Sequence, residues 1–445
     1  MRKFLISYFL TISLLLSSMG YSNYMLINNF DTSEVKGTIK YLSSDEFEGR
    51  LSGSLENAIA ASFIKDKFES AGIEAFMDNY YQSFDVNYPN ALSDEPMIAI
   101  LDGDRKVHKI LEYGVNYKED LLNFRNTEIE FDKSHVINQD DDALYVKNHT
   151  GSVIFYTTNE NNLAFRSSFV ESSNQDLYIV VTNETLQNIK NYLNDGFSIY
   201  TYIPISIDHT TINNVVGVLK GKDSTLPPLV LGAHFDHVGT DLNNTIYSGA
   251  LDNSSGTSFL IALTKYIKTL GTPDRDIIFV AFNAEEFGLL GSQAFVDQYQ
   301  AVLKDSRVYN FDMIGSFDGI PLCIMGGKLD TAKTPLIEEL TTVFQNKKIY
   351  FNYLFEDASD HSPFRNADIE AVTLCDNDTS RIHTPNDKVD YISETAIDRC
   401  FSIMKTQILN DSYSSNILYN NLEIILIFSC ISSLVLILIY SGIKK

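Results

Sequence analysis

The chain has 445 residues, 44% of them hydrophobic and 12% aromatic, which supplies apolar side chains for two or three packed domains and excludes a disordered polymer. Its formal net charge of -24 at pH 7 excludes a nucleic-acid binder, because phosphate recognition draws on clustered Lys and Arg. An acid excess of this kind solvates a surface and concentrates cations around it.

In chain order, the first segment is "MRKFLISYFLTISLLLSSMGYSN", with a basic start, an apolar stretch from Phe4 to Leu16 and small residues at Ser18 and Gly20. That pattern predicts an export signal over residues 1–22, left out of the fold, with retention as a second anchor the alternative. Residues 28–95 follow, where Ile59, Phe63, Ile64 and Phe68 in "LENAIAASFIKDKFESAGIEA" take helical spacing and a strand is expected after the glycine. Residues 96–204 turn polar and β-rich, with "GSVIFYTT", "LYIVVTN" and "GFSIYTYIPI" as strands and "ETLQNIKNYLND" as a short helix, which predicts an inserted domain.

Over residues 205–410 short apolar strands return: "NNVVGVLKG", "PLVLGAHFD", "DIIFVAFNAEE" and "VYNFDMIG". A helix with Phe259, Leu263, Tyr266, Ile267 and Leu270 on one face lies between two of them. Alternating strands and helices predict an α/β fold with a mixed, largely parallel central sheet flanked by helices, and such sheets gather functional groups at the carboxyl ends of their strands. Last comes "IILIFSCISSLVLILIYSGI", residues 424–443, charge-free and about the 20 residues needed to cross a bilayer. Lys444 and Lys445 behind it favour a cytoplasmic tail, which puts the body of the chain on the extracytoplasmic side: periplasmic, extracellular or lumenal. Of four cysteines Cys430 falls in this run, and Cys323, Cys375 and Cys400 show no C-x-x-C pairing, so one disulfide or none is compatible.

The strand-end rule collects the polar residues. His234, Asp236 and His237 end "PLVLGAHFDHVG", Glu285 and Glu286 end "DIIFVAFNAEE", and Asp312 ends "VYNFDMIG". Asp252 sits in "SGALDNSSGTS" before a helix, His361 in "SDHSPF" and His383 in "RIHTPND". Carboxylates and imidazoles converging on one rim suit a divalent ion such as zinc. No G-x-S-x-G or H-E-x-x-H competes with that reading.

These segments resemble a family. "AHFD", "GALDNSSG", "EEFGLLGS", "NFDMIG", "SDHSPF" and "HTPND" occur in the order found in the zinc aminopeptidases with a co-catalytic metal pair, the group that includes bacterial leucyl aminopeptidases and glutamate carboxypeptidase. "LSSDEFEGRLSGS" is similar to that family's opening helix and loop, and the insert resembles its protease-associated domain. Leu251 departs from the family, which commonly has a polar residue there.

The resemblance implies two zinc ions per chain bridged by Asp252, one completed by His234 and Asp312, the other by Glu286 and His383. It further implies that Glu285 is the general base acting on the shared water. Asp236 is expected to orient the His234 imidazole, and Asp360 and Asp387 to fix loops or ligands. His361 is left between lining the substrate pocket, stabilising the oxyanion and a structural role. The implied activity is removal of N-terminal residues from peptides. A carboxypeptidase, with Arg365 or Arg381 holding the substrate carboxylate, and a metal-free receptor-like ectodomain are the alternatives.

Overall fold

The structure is a computed structural model that describes residues 2–158, 162–317 and 319–442. Ile443, Lys444 and Lys445, used above for the end and orientation of the last helix, lie outside the described residues.

The central sheet is built from β1 (Glu74–Ala75), β2 (Tyr81–Ala91), β3 (Ile205–Leu219), β4 (Leu229–His234), β5 (Ile277–Phe282), β6 (Arg307–Phe311), β7 (Leu322–Gly326), β8 (Phe351–Phe355) and β9 (Glu370–Asp376). Its order is β1-β3-β5-β4-β6-β9-β7-β8, with β2 paired to β3. The central four, β5, β4, β6 and β9, are mutually parallel, whereas β3 on β5 and β7 on β9 run antiparallel. The sheet is therefore mixed with a parallel centre.

Helices on this frame are α1 (Arg2–Ile27), α2 (Thr32–Leu42), α3 (Leu55–Ser70), α4 (Gly256–Thr269), α5 (Leu290–Leu303), α6 (Pro335–Lys347), α7 (Glu394–Ser412) and α8 (Leu422–Gly442). Strand periodicity divides the core into two layers. In β5, Ile277, Phe279 and Ala281 pack with residues of α2, α3, α4, α6 and α7, while Ile278, Val280 and Phe282 face Phe295, Val296 and Leu303 of α5. All six β5 residues are buried, as expected for a strand covered on both faces.

Two expectations about helix faces change. The buried row of α3 is Asn57, Ala60, Ala61, Ile64 and Phe68, and Ile59 is 45% exposed, because that row follows a spacing of three to four residues and Ile59 falls between its members. α4 is buried nearly all round, Leu260, Ile261 and Ala262 included, since it lies between the sheet and α2.

Between β2 and β3 the chain forms two further sheets. One has five strands, in the order Tyr117–Phe124, Leu177–Val181, Ser152–Tyr156, Ala143–Lys147 and Val136–Gln139. The other has four, in the order Val107–Leu111, Met97–Leu101, Ser198–Tyr202 and Glu128–Phe131. A helix, Asn183–Asn194, capped by Thr182, buries Leu186, Ile189 and Leu193 against them. This β-rich body has its own core, and that core continues into Val238, Tyr247, Ala284 and Phe287 beside the strand ends of the central sheet.

Candidate metal centre

The parallel strands deliver side chains to one edge. β4 ends on His234, β5 is followed two residues later by Ala284 and then Glu285 and Glu286, and β6 is followed directly by Asp312. Asp252 comes from the turn that opens α4, and His383 from the loop after β9. Three of these turns contain a non-glycine residue in the left-handed region, Ala284 (φ 55°), Met313 (φ 55°) and His383 (φ 55°). Such conformations cost energy and persist where the surroundings hold a functional geometry.

Small residues allow the turns to close. A Cβ on Gly256, at the start of α4, would stand 2.1 Å from the Phe311 carbonyl oxygen, and one on Gly291 would stand 2.1 Å from that of Asn283. Asn253 ties two ligand loops together: its Nδ2 donates to the Phe311 carbonyl (2.9 Å), and its Oδ1 accepts from the N–H groups of Gly256 (2.8 Å) and Met313 (3.1 Å). Asp387 fixes the Asp252 backbone by accepting from the N–H groups of Leu251 (2.8 Å) and Asp252 (3.0 Å).

Two groups of donor atoms result, one of His237, Asp252, Glu286 and His383 and the other of His234, Glu285 and Asp312. Asp252 reaches both, with Oδ1 3.4 Å from His234 Nε2 and Oδ2 3.3 Å from His383 Nε2. His383 Nε2 is 3.0 Å from Glu286 Oε1, and His234 Nε2 is 3.4 Å from Asp312 Oδ1. Donors bound tetrahedrally at about 2.0–2.1 Å from zinc stand about 3.3 Å apart, a spacing these separations match.

Charge points the same way. Asp236, Asp252, Glu286, Asp312, Asp360 and Asp387 are all buried. The buried cation whose field acts on several of them is Arg50, and its guanidinium is already spent on the carbonyl oxygens of Leu42, Phe235, Ser248 and Gly249. Buried carboxylates need pairing or a metal. The oxygen and imidazole donor set fits zinc, with Asp252 between the two halves.

Neighbours orient the ligands. His383 Nδ1 donates to the carbonyl of Arg166 (2.9 Å), which leaves Nε2 free to ligate, and Ser359 Oγ donates to Asp312 Oδ2 (2.7 Å). Ser168 donates to Glu286 Oε2, the Phe169 N–H to the Glu286 carbonyl (2.9 Å), and the Phe165 ring stacks on His383. The stretch 165–169 of the β-rich body thus touches Glu286 and His383, two members of one group of donor atoms. Arg166 is itself buried and bonded to buried Glu119 at 2.8 Å. A cavity of about 430 Å³, with Tyr156, Phe165, Ser167, Thr379, Ile382 and Thr384 in its lining, opens between that body and the His383 loop.

Not every expected role is placed as expected. Asp236 does not hydrogen-bond His234, whose Nδ1 is 3.7 Å away; its oxygens accept instead from the N–H groups of Glu285 and Glu286, each at 3.1 Å, and so hold the glutamate turn. Of the three roles left open for His361, the structural one fits its surroundings: it is fully buried, with Nδ1 on Thr373 Oγ1 and Nε2 on the Glu356 carbonyl, both at 2.9 Å, and burial lowers its pKa. Arg365 is committed to Asp330 (2.6 Å) and Arg381 to Asp378 (2.9 Å). Sequence reasoning assigned no role to Arg50, Arg166, Ser168 or His237; only His237 carried a signal, being the second histidine of "AHFDHVG".

Residues 214–408 match the sequence model described as Peptidase family M28. Over 196 residues the chain is 34% identical to aminopeptidase YwaD of Bacillus subtilis strain 168, a match that spans 41% of this chain and 41% of that protein. It is 37% identical over 91 residues to a vacuolar membrane protease of Clavispora lusitaniae, spanning 20% of this chain and 8% of that one. The chain thus spans less than half the length of these curated relatives. In fold it is similar to an aminopeptidase from Aneurinibacillus sp. strain AM-1, with a TM-score of 0.61 and 18% identity over 87% of this chain and 96% of that one. The segment similar to peptidase family M28 is the one that supplies the strand ends and both groups of donor atoms.

Proposed function

We propose that the protein is a zinc-dependent aminopeptidase that removes N-terminal residues from peptides with two metal ions, one held by His234, Asp252 and Asp312 and the other by Asp252, Glu286 and His383. One observation carries this reading: Asp252 presents its two oxygens to two imidazoles at 3.4 and 3.3 Å, with a further carboxylate beside each, the spacing of donors around a bridged pair of ions.

Bound zinc polarises a carbonyl and lowers the pKa of water. The chain's own part is proton handling and alignment. Glu285 lies in the group with His234 and Asp312, partly open to solvent where a peptide enters. There its carboxylate takes the proton of the attacking water and returns it to the departing amine. Asp236 holds the turn that aims Glu285 and Glu286 in different directions, and Asp387 holds Asp252. The carboxypeptidase alternative loses support because Arg365 and Arg381 are both committed to aspartates, and the relative with the longest match described here is named an aminopeptidase.

We further propose that residues 96–204 are an inserted domain of the protease-associated type whose stretch 165–169 braces Glu286 and His383. Residues 1–22 direct export, and the apolar helix near the other end anchors an extracytoplasmic body. The relative from Clavispora lusitaniae is described as a membrane protease.

Zinc analysis together with hydrolysis of free and N-acetylated peptides tests the activity. Two zinc ions per chain, inhibition by chelators and no cleavage of acetylated peptides are expected. Cleavage of acetylated peptides from the carboxyl end indicates the carboxypeptidase, and a folded, zinc-free, inactive body indicates the receptor.

A further inference from the structure

His237 is fully buried beside the half-site of Glu286 and His383, and the proposed ligand set leaves it out. Its Nδ1 is 3.1 Å from Glu286 Oε1 and 3.6 Å from Asp252 Oδ2. His383 Nε2 stands 3.0 Å and 3.3 Å from the same two oxygens. The two rings cross at 82° with centroids 5.4 Å apart, so two ring nitrogens converge on one pair of oxygens.

The position is built for an imidazole. A Cβ on Gly249 would lie 2.6 Å from the His237 ring, and glycine leaves that room. His237 Nε2 is buried without a hydrogen-bond partner, so the only polar work the ring does is at Nδ1. All four nitrogen–oxygen separations, 3.0 to 3.6 Å, bracket the roughly 3.3 Å edge of a zinc tetrahedron.

From this geometry we infer that His237 is a further metal ligand, through Nδ1, to the ion held by Asp252, Glu286 and His383. The inference rests on the two-zinc reading above. It makes the two half-sites unequal. Four protein donors close the His237 side, as in structural zinc sites, while the side of His234, Asp252 and Asp312 keeps the open position that catalytic sites need, next to Glu285. His237 would therefore help hold an ion beside Asp252 and Glu286, leaving the side next to Glu285 as the open one.

The test is zinc titration of the full chain against a competing chelator for wild type, His237→Ala and His237→Asn. Asparagine retains an N–H donor but is a poor zinc ligand. Both variants should keep one tight ion and bind the second more than about 100-fold more weakly, beyond the usual effect of losing a hydrogen bond to a ligand. Wild-type affinity in His237→Asn with loss in His237→Ala would make His237 a donor to Glu286 and overturn the inference. Two tight ions in both variants would do the same. A wild-type chain that takes up no zinc sinks the peptidase reading and the ligand with it.

Should a variant fail to fold, nitrogen-labelled wild-type protein loaded with a spin-active cadmium isotope decides the question. Scalar coupling between the metal and His237 Nδ1 is expected, and a protonated, uncoupled Nδ1 overturns the assignment.

Discussion

Glu285 and Glu286 are adjacent in the chain and electrostatically opposite. Burial and the nearby carboxylates of Glu286, Asp312 and Asp360 push Glu285 well above the ordinary carboxylate range, against the pull of His234. Burial works in the same direction on Glu286, but His383 and His237 outweigh it and hold that carboxyl well below its usual value. This divergence suits the proton carrier and the metal-binding anion proposed for the pair. Replacing Glu285 with Gln keeps the shape and removes the base, so turnover should fall by roughly 10² to 10⁴ with zinc content unchanged. Replacing Glu286 with Gln should release one ion, with part of the activity restored by excess zinc. Metal analysis alongside peptide hydrolysis checks both, and the opposite pattern would exchange their roles.

At the scale of elements, Arg50 joins α2, the end of β4 and the Asp252 loop by donating to the carbonyls of Leu42 (2.7 Å), Phe235 (2.7 Å), Ser248 (2.9 Å) and Gly249 (2.9 Å). Burial lowers its pKa to about 10, so it remains charged at neutral pH. Arg50→Met leaves buried carbonyls without donors and should cost roughly 3–5 kcal/mol in urea unfolding, the usual effect of breaking a buried charged network. A second junction lies at the end of α7. Although burial works against it, Asp274 is held down at about 2 by Ser415, whose N–H donates at 2.8 Å, and by Lys222 at 2.9 Å. A folded pKa below the unfolded value of 3.8 contributes stability that is present above about pH 4 and lost as pH falls towards 2. Asp274→Asn should therefore flatten the acid limb of the stability curve in that window, measured as melting temperature against pH.

For the whole molecule, α1 and α8 are the two helices long and apolar enough to cross a membrane among the described residues. They pack through Ser13 Oγ, which donates to the Ser429 carbonyl (2.8 Å) and accepts from Ser433 Oγ (2.9 Å). Every proposed ligand precedes α8, and the chain after α1 is tied into the body by Phe30 stacked on Phe401. Truncation before Leu422 should release a folded, zinc-binding body into the soluble fraction. Retention in the membrane would identify α1 as a second anchor. The thiols Cys323, Cys375 and Cys400 are buried, and Cys323 and Cys375 lie opposite each other across the antiparallel pair β7 and β9.

The linear sequence by itself determined the class of fold and the strand ends that carry chemistry. Continuous apolar runs such as "IIFVAF", too short for a typical helix and rich in β-branched and aromatic residues, favour strands covered on both faces, and a polar residue directly after such a run falls on the sheet edge. The motif order pointed to five candidate ligands, and local turn chemistry such as the close approach at Gly256 and the loop tie of Asn253 is written beside Asp252. What only the tertiary structure decided are the relations among residues distant in the chain. Asp236 serves the glutamate turn rather than His234, His361 is enclosed, and the segment 165–169, over 100 residues before Glu286 and His383, holds both. The direction in which His237 turns its ring belongs with these. Periodicity specifies which face a side chain leaves from, but hydrogen-bond partners and ligand distances depend on how separate strands and an inserted domain pack, and no local pattern encodes that.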